Sequence, residues 1–176
     1  MGGVDPGNHS ATALEAITRS GFDGPVEIVA TSANPHLTAL RNIAAARPHT
    51  RLSIDLPDLA AFFARHDLQI GSGGGATWER CCIGAPTLLY VIAPNQNAVT
   101  PLLAQSGVFA LAPDPSAPTI AQELSKLLIA PDKRRALMRA SRTLVDGRGA
   151  ERVALALAAQ KLTVRPAQMS DARLMF

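Results

Sequence analysis

Residues 67–91 read DLQIGSGGGATWERCCIGAPTLLYV, and no other stretch restricts the fold as much. A short apolar segment with Leu68 and Ile70 runs into five small residues, Gly71, Ser72, Gly73, Gly74 and Gly75. A helix-like segment with Glu79 follows, then a Gly84-Ala85-Pro86 stop and a second apolar segment at 87–91. Strand, glycine loop, helix and strand form a βαβ unit, and two strands joined by such a crossover run parallel. The loop falls at the helix N-terminus, where unpaired N–H groups and the helix dipole favour a phosphate. Glycines let the backbone approach such a ligand because no Cβ intrudes. Glu79 lies one turn inside, placed to accept bonds from a ribose diol. The unit reads as a nucleotide site.

Two familiar phosphate loops are excluded by spacing. No Lys-Ser or Lys-Thr follows the glycines, so the P-loop pattern fails. A dinucleotide fingerprint places an acid at the end of the next strand, about twenty residues on. Here that strand leads into Ile92-Ala93-Pro94-Asn95-Gln96, with no acid.

The rest of the chain alternates in the same way. Strands are expected at 26–30, 51–54, 68–70, 87–92 and 108–111. Helices are expected at 8–20, capped by Asn8, and at 35–47. A third begins near Pro57, capped by Asp55, and others span 95–106, 116–128, 132–145 and 149–162. Continuous apolar strands between helices predict an α/β fold with a doubly wound, parallel, Rossmann-like sheet. In such sheets ligands sit beyond the carboxyl ends of the strands, where the glycine loop and Asn95-Gln96 both fall.

Composition limits the alternatives. Apolar residues make up 47% of 176, with no run near the ~18 needed to span a bilayer. No leader pattern opens the sequence, so a cytoplasmic protein with no membrane partner is expected. The net charge is +3, with one Trp and one Tyr, so the aromatic and basic interleaving of nucleic-acid binders is absent. Cys81 and Cys82 are adjacent, and neighbours on a helix diverge by about 100°, poor geometry for a disulfide. They read as small apolar helix residues. His9, His36, His49 and His66 are dispersed without metal or triad spacing, and no metal or cofactor is expected. His9 and Asp5 fall in a loop facing the same cleft, where Asp5 is either a substrate contact or part of an Asp-Pro-Gly turn. Arg80 reads as a solvated helix charge, and Arg134, Arg135, Arg139 and Arg142 as an exposed stripe.

The run IGSGGGATWERCCIGAPTLLYVIAPNQ resembles the UDP-binding half of nucleotide-sugar enzymes of the two-domain GT-B architecture. It looks most like the UDP-2,4-diacetamido-2,4,6-trideoxy-β-L-altropyranose hydrolases of pseudaminic acid biosynthesis. That family is similar to the N-acetylglucosaminyltransferase of peptidoglycan synthesis. GGVDPGN, TSANPHL and IDLPDLAAFFARHDLQIG fit the same family, and the resemblance covers about residues 2–160.

The resemblance implies roles. Ser72, Gly73, Gly74, Gly75 and Ala76 would hold the diphosphate, and Glu79 the ribose hydroxyls. The backbone at Ile54 would meet the uracil edge, and Gly3, Asp5, Asn95 and Gln96 would face the sugar. It also implies a preceding domain whose His takes part in hydrolysis, so no catalytic residue is assigned here. The sequence after Leu162 is similar to the first strand and helix of a GNAT-type acetyltransferase. The expected organisation is a UDP-binding domain at 1–161, its first strand incomplete, then the start of an acetyltransferase-like domain at 162–176. The chain reads as an internal slice of a fusion whose other domains are its partners. A glycosyltransferase half and a non-catalytic nucleotide-sugar-binding domain are the alternatives.

Overall fold

The structure is a computed structural model that describes Gly2 and residues 4–160. The expected acetyltransferase-like segment at 162–176 and the candidate Gly3 lie outside the described residues. The chain divides into two units, Met1–Val145 and Asp146–Phe176. In the first, strands and helices alternate as α1 (His9–Arg19), β1 (Val26–Ala30), α2 (Leu37–Ala46), β2 (Thr50–Ile54), α3 (Leu59–Ala64), β3 (Gln69–Ser72), α4 (Ala76–Ile83) and β4 (Thr87–Tyr90). A single 3-10 turn (Pro94–Gln96), α5 (Thr100–Gln105), β5 (Ala110–Leu111), α6 (Ala117–Leu128) and α7 (Pro131–Leu144) complete it. In the second unit α8 (Gly149–Ala159) carries the exposed apolar residues Val153, Leu155 and Leu157.

All described strand pairs are parallel, in two sheets: β1 with β2, and β3-β4-β5. β4 explains the larger sheet. All four of its residues are buried, and successive side chains point to opposite faces. Leu88 and Tyr90 enter a core with Ala16 of α1 and Ile120, Leu124 and Leu127 of α6. Leu89 enters a second core with Cys81, Val108 and Phe109. Helices thus cover both faces, as a parallel sheet requires. Burying each of these leucines is worth about 1.5–3 kcal/mol.

Several boundaries differ from the expected ones, each for a local reason. The helix expected over 95–106 splits into the 3-10 turn and α5, because Pro101 fits only a helix's first turn. Asp55 does not cap α3. Asp58 does, accepting Ala60 N–H at 2.8 Å, while Asp55 adopts φ 51° and accepts Ser32 N–H at 2.8 Å. Asn8 occupies the cap position of α1 with φ 54° and no side-chain bond. The capping carboxylate is that of Asp5, which accepts His9 N–H at 2.9 Å and Ser10 N–H at 2.8 Å.

The arginine stripe of α7 is also only half a stripe. Arg134 donates to the Leu128 carbonyl at 2.8 Å and Arg142 to that of Ile83 at 3.0 Å, so the two close the carboxyl ends of α6 and α4. Arg135 and Arg139 are exposed.

Candidate functional site

β3 delivers the glycine loop to the carboxyl edge of its sheet. Ser72, its last residue, stands in register with Tyr90, the last of β4. Three helix N-termini gather around that edge. α4 begins at Ala76, directly after the glycines, without a side-chain cap; the Thr77 N–H donates back to the Gly74 carbonyl at 3.0 Å and the Trp78 N–H to that of Gly75 at 3.1 Å. α1 is tied in by Tyr90, whose hydroxyl donates to the His9 carbonyl at 3.0 Å. α5 abuts the loop so closely that a Cβ added at Gly73 would lie 2.1 Å from Thr100 Oγ1. Gly74 and Gly75 have nothing within 4 Å of an added Cβ, so that side of the loop is open to a ligand.

The residues around the loop divide into donors of shape and donors of chemistry. Thr77 Oγ1 and Arg80 Nη1 both donate to the Ser72 carbonyl, each at 3.3 Å. Arg80 was expected to be solvated, yet it is buried at 6% exposure, its guanidinium 5.3 Å from the centre of the Phe63 ring. Burial lowers its pKa to about 10, still far above neutrality, so a fixed positive charge sits behind the loop. Glu79, one residue earlier and so about 100° round the helix, is exposed in the first turn of α4 beside Trp78 at 47% exposure. Adjacent residues therefore supply an inner cation and an outer carboxylate.

The other expected site residues sit as follows. Ile54 closes β2 and is half-buried. Two residues on, Leu56 packs in the same apolar cluster as Ala76 of α4. Asp5 is 2% exposed, with both oxygens engaged by α1. Gln96 is buried and its Oε1 accepts Ile92 N–H at 3.1 Å, bracing the turn after β4, while Asn95 is exposed. His36 Nε2 lies 2.9 Å from the Pro6 carbonyl, joining the segment before α2 to the Asp5 turn. Among the described residues no cluster of three or more His, Cys, Asp or Glu is arranged to hold a metal, and no helix is long and apolar enough to cross a membrane.

Arg80 is the residue that sequence reasoning missed. Its signal was Gly71, where an added Cβ would fall 2.4 Å from Arg80 Nη2, so the glycine makes room for the guanidinium.

No family model matches the chain. The spore coat polysaccharide biosynthesis protein SpsG of Bacillus subtilis is 29% identical over 137 residues, covering 74% of this chain and 40% of that protein. A crystal structure of a Listeria monocytogenes protein assigned as a UDP-N-acetylglucosamine 2-epimerase superposes with a TM-score of 0.63 at 20% identity, over 94% of this chain and 45% of that one. The chain thus spans less than half the length of either relative. The fold is α/β with parallel sheets, Rossmann-like, and its structural neighbour is GT-B-like.

Proposed function

We propose that this chain is the UDP-binding half of a nucleotide-sugar enzyme. In the whole protein it would serve a hydrolase that releases UDP from UDP-2,4-diacetamido-2,4,6-trideoxy-altrose. The observation that carries the reading is the loop Ser72–Ala76 at the carboxyl end of β3, opening α4 and followed one turn later by the exposed carboxylate of Glu79. The diphosphate would lie on the loop's N–H groups, with Arg80 behind them, and the ribose hydroxyls would meet Glu79. Asn95 is the better placed of the two polar residues after β4 to face the sugar, since Gln96 is already bonded. The names of the two relatives, one in polysaccharide biosynthesis and one an epimerase of a UDP-sugar, support a nucleotide sugar over a dinucleotide.

Chemically, this half would stabilise the charge growing on the diphosphate as the anomeric C–O bond breaks. Water activation would come from a partner domain, as the resemblance implies. Titration calorimetry tests the reading. UDP should bind more tightly than UMP, and NAD should not compete. Equal heats for UDP and NAD would remove it. UDP release from the sugar nucleotide by residues 1–176 should not exceed that in buffer, and measurable turnover would mean that the base lies within this chain.

A further inference from the structure

Trp78 is the one tryptophan of the chain, and it stands 47% exposed near the start of α4. Its indole has no ring or hydrogen-bonding partner among the described residues. A single exposed apolar residue is ordinary; what sets this one apart is where α4 places it.

Successive residues step about 100° round a helix, so the packed residues of α4 give the direction of the exposed ones. Cys81 packs with Leu89, Val108 and Phe109, and Leu103 of α5 joins that cluster. Ile83 packs instead with Phe62, Phe63 and Leu56, on the α3 flank. Trp78 lies about 60° from Cys81 and about 140° from Ile83, so it stands toward the α5 flank. Glu79 lies about 40° from Ile83 and stands toward the α3 flank. The glycine loop thus has a carboxylate on one side of its helix and an indole on the other. Helical side chains also lean toward the N-terminus, which carries the indole back over the turn of Gly74 and Gly75. That is the open side of the loop, where an added Cβ meets nothing within 4 Å. The α5 flank also holds Val99, 45% exposed, directly before the Thr100 that abuts Gly73.

We propose that Trp78 is a specificity-determining residue, a flat platform on which the pyranose ring of a nucleotide sugar stacks through its C–H face. The inference rests on the nucleotide reading above and extends it to the sugar. In such a ligand the diphosphate stands between the ribose and the sugar. With the diphosphate on the glycine loop and the ribose on Glu79, the sugar leaves on the opposite flank, over Trp78. An indole offers a large apolar area and no charge, so it selects a ring with an unbroken C–H face rather than one hydroxyl. Asn95, exposed in the turn that leads to α5, is left for the polar edge of the same ring.

The test uses UDP and UDP-N-acetylglucosamine as probes on residues 1–176, unmodified and as Trp78→Ala and Trp78→Phe. Trp78→Ala should weaken UDP-N-acetylglucosamine about fivefold or more in calorimetry while UDP stays within about twofold, and Trp78→Phe should recover most of the loss. Because the chain has one tryptophan, its emission reports on the platform directly, and the sugar nucleotide should shift it to the blue further than UDP does. If UDP does not bind the unmodified protein, the nucleotide reading falls and the platform with it. If UDP binds and Trp78→Ala weakens both ligands equally, or neither, the platform alone is overturned. An emission shift as large with UDP as with the sugar nucleotide overturns it too, by placing the indole against the nucleoside.

Discussion

Arg80 holds the glycine loop from behind by donating to the Ser72 carbonyl at 3.3 Å while its guanidinium stacks on Phe63. The loop is thereby fixed by a side chain that a ligand on the far side never touches. Arg80→Ala should lower the thermal midpoint and weaken UDP binding together, by about 1–3 kcal/mol each, because a buried carbonyl loses a charged donor. Lysine should recover little, since an ammonium neither stacks nor forks. Full UDP affinity in the Arg80→Ala protein would show that the loop keeps its shape unaided.

Gly73 and Gly74 are neighbours with opposite surroundings. Alanine at Gly73 would drive a methyl into Thr100, whereas alanine at Gly74 meets open space. Gly73→Ala should therefore destabilise the fold by about 1–3 kcal/mol, and Gly74→Ala should leave the melting curve in place. If the diphosphate lies on the loop, Gly74→Ala should still cost UDP affinity. A Gly74 variant with unchanged calorimetry would place the ligand elsewhere.

Glu79→Gln should reduce UDP affinity by about 1–3 kcal/mol with no change in stability, because the carboxylate is exposed and its loss removes only charge-assisted bonds to hydroxyls. Binding to UMP should fall by the same factor, since both ligands carry the ribose. A variant that discriminated between them would assign Glu79 to the phosphates.

Glu27 contributes to the acid side of the stability curve. Burial opposes its ionisation, but hydrogen bonds from Arg65, Ser53 and Arg51 outweigh this and lower its pKa from 4.5 to about 2. The folded value lies below the unfolded one, so the stabilisation is complete above about pH 4.5 and is lost as the pH falls toward 2. The shift alone would be worth about 3 kcal/mol, and screening at the exposed Arg51 and Arg65 reduces this to about 1–2 kcal/mol. Glu27→Gln should flatten the stability profile across that window, measured by urea denaturation at stepped pH.

The two cysteines should part company in a thiol titration. Cys81 is fully buried, and desolvation raises its pKa to about 11, while Cys82 is exposed. A disulfide reagent at neutral pH should modify one thiol in the native protein and two after denaturation. Two fast-reacting thiols in the native state would mean that α4 opens readily.

The βαβ core was legible because its signals are local and redundant. Residues 26–30 were expected as a strand and are β1, and the glycines mark the end of β3 within two residues. Exchange of partners between nearby polar residues was not legible. Asp5 and Asn8 both cap well, and only the left-handed backbone at Asn8 decides that Asp5 serves α1. Asp55 and Asp58 repeat the problem at α3. The inward turn of Arg80 depends on Phe63, from another helix, and no period within α4 encodes that.

The Tyr90 hydroxyl and the His9 carbonyl meet across 81 residues of sequence. Ala16 of α1 likewise rests on Ile120 and Leu124 of α6, far downstream. During synthesis α1 leaves the ribosome before β4 and α6, so these two parts of its docking surface are missing until about a hundred further residues have been made. α1 is thus made well before the elements that seat it, and over that interval its apolar face is offered to chaperones.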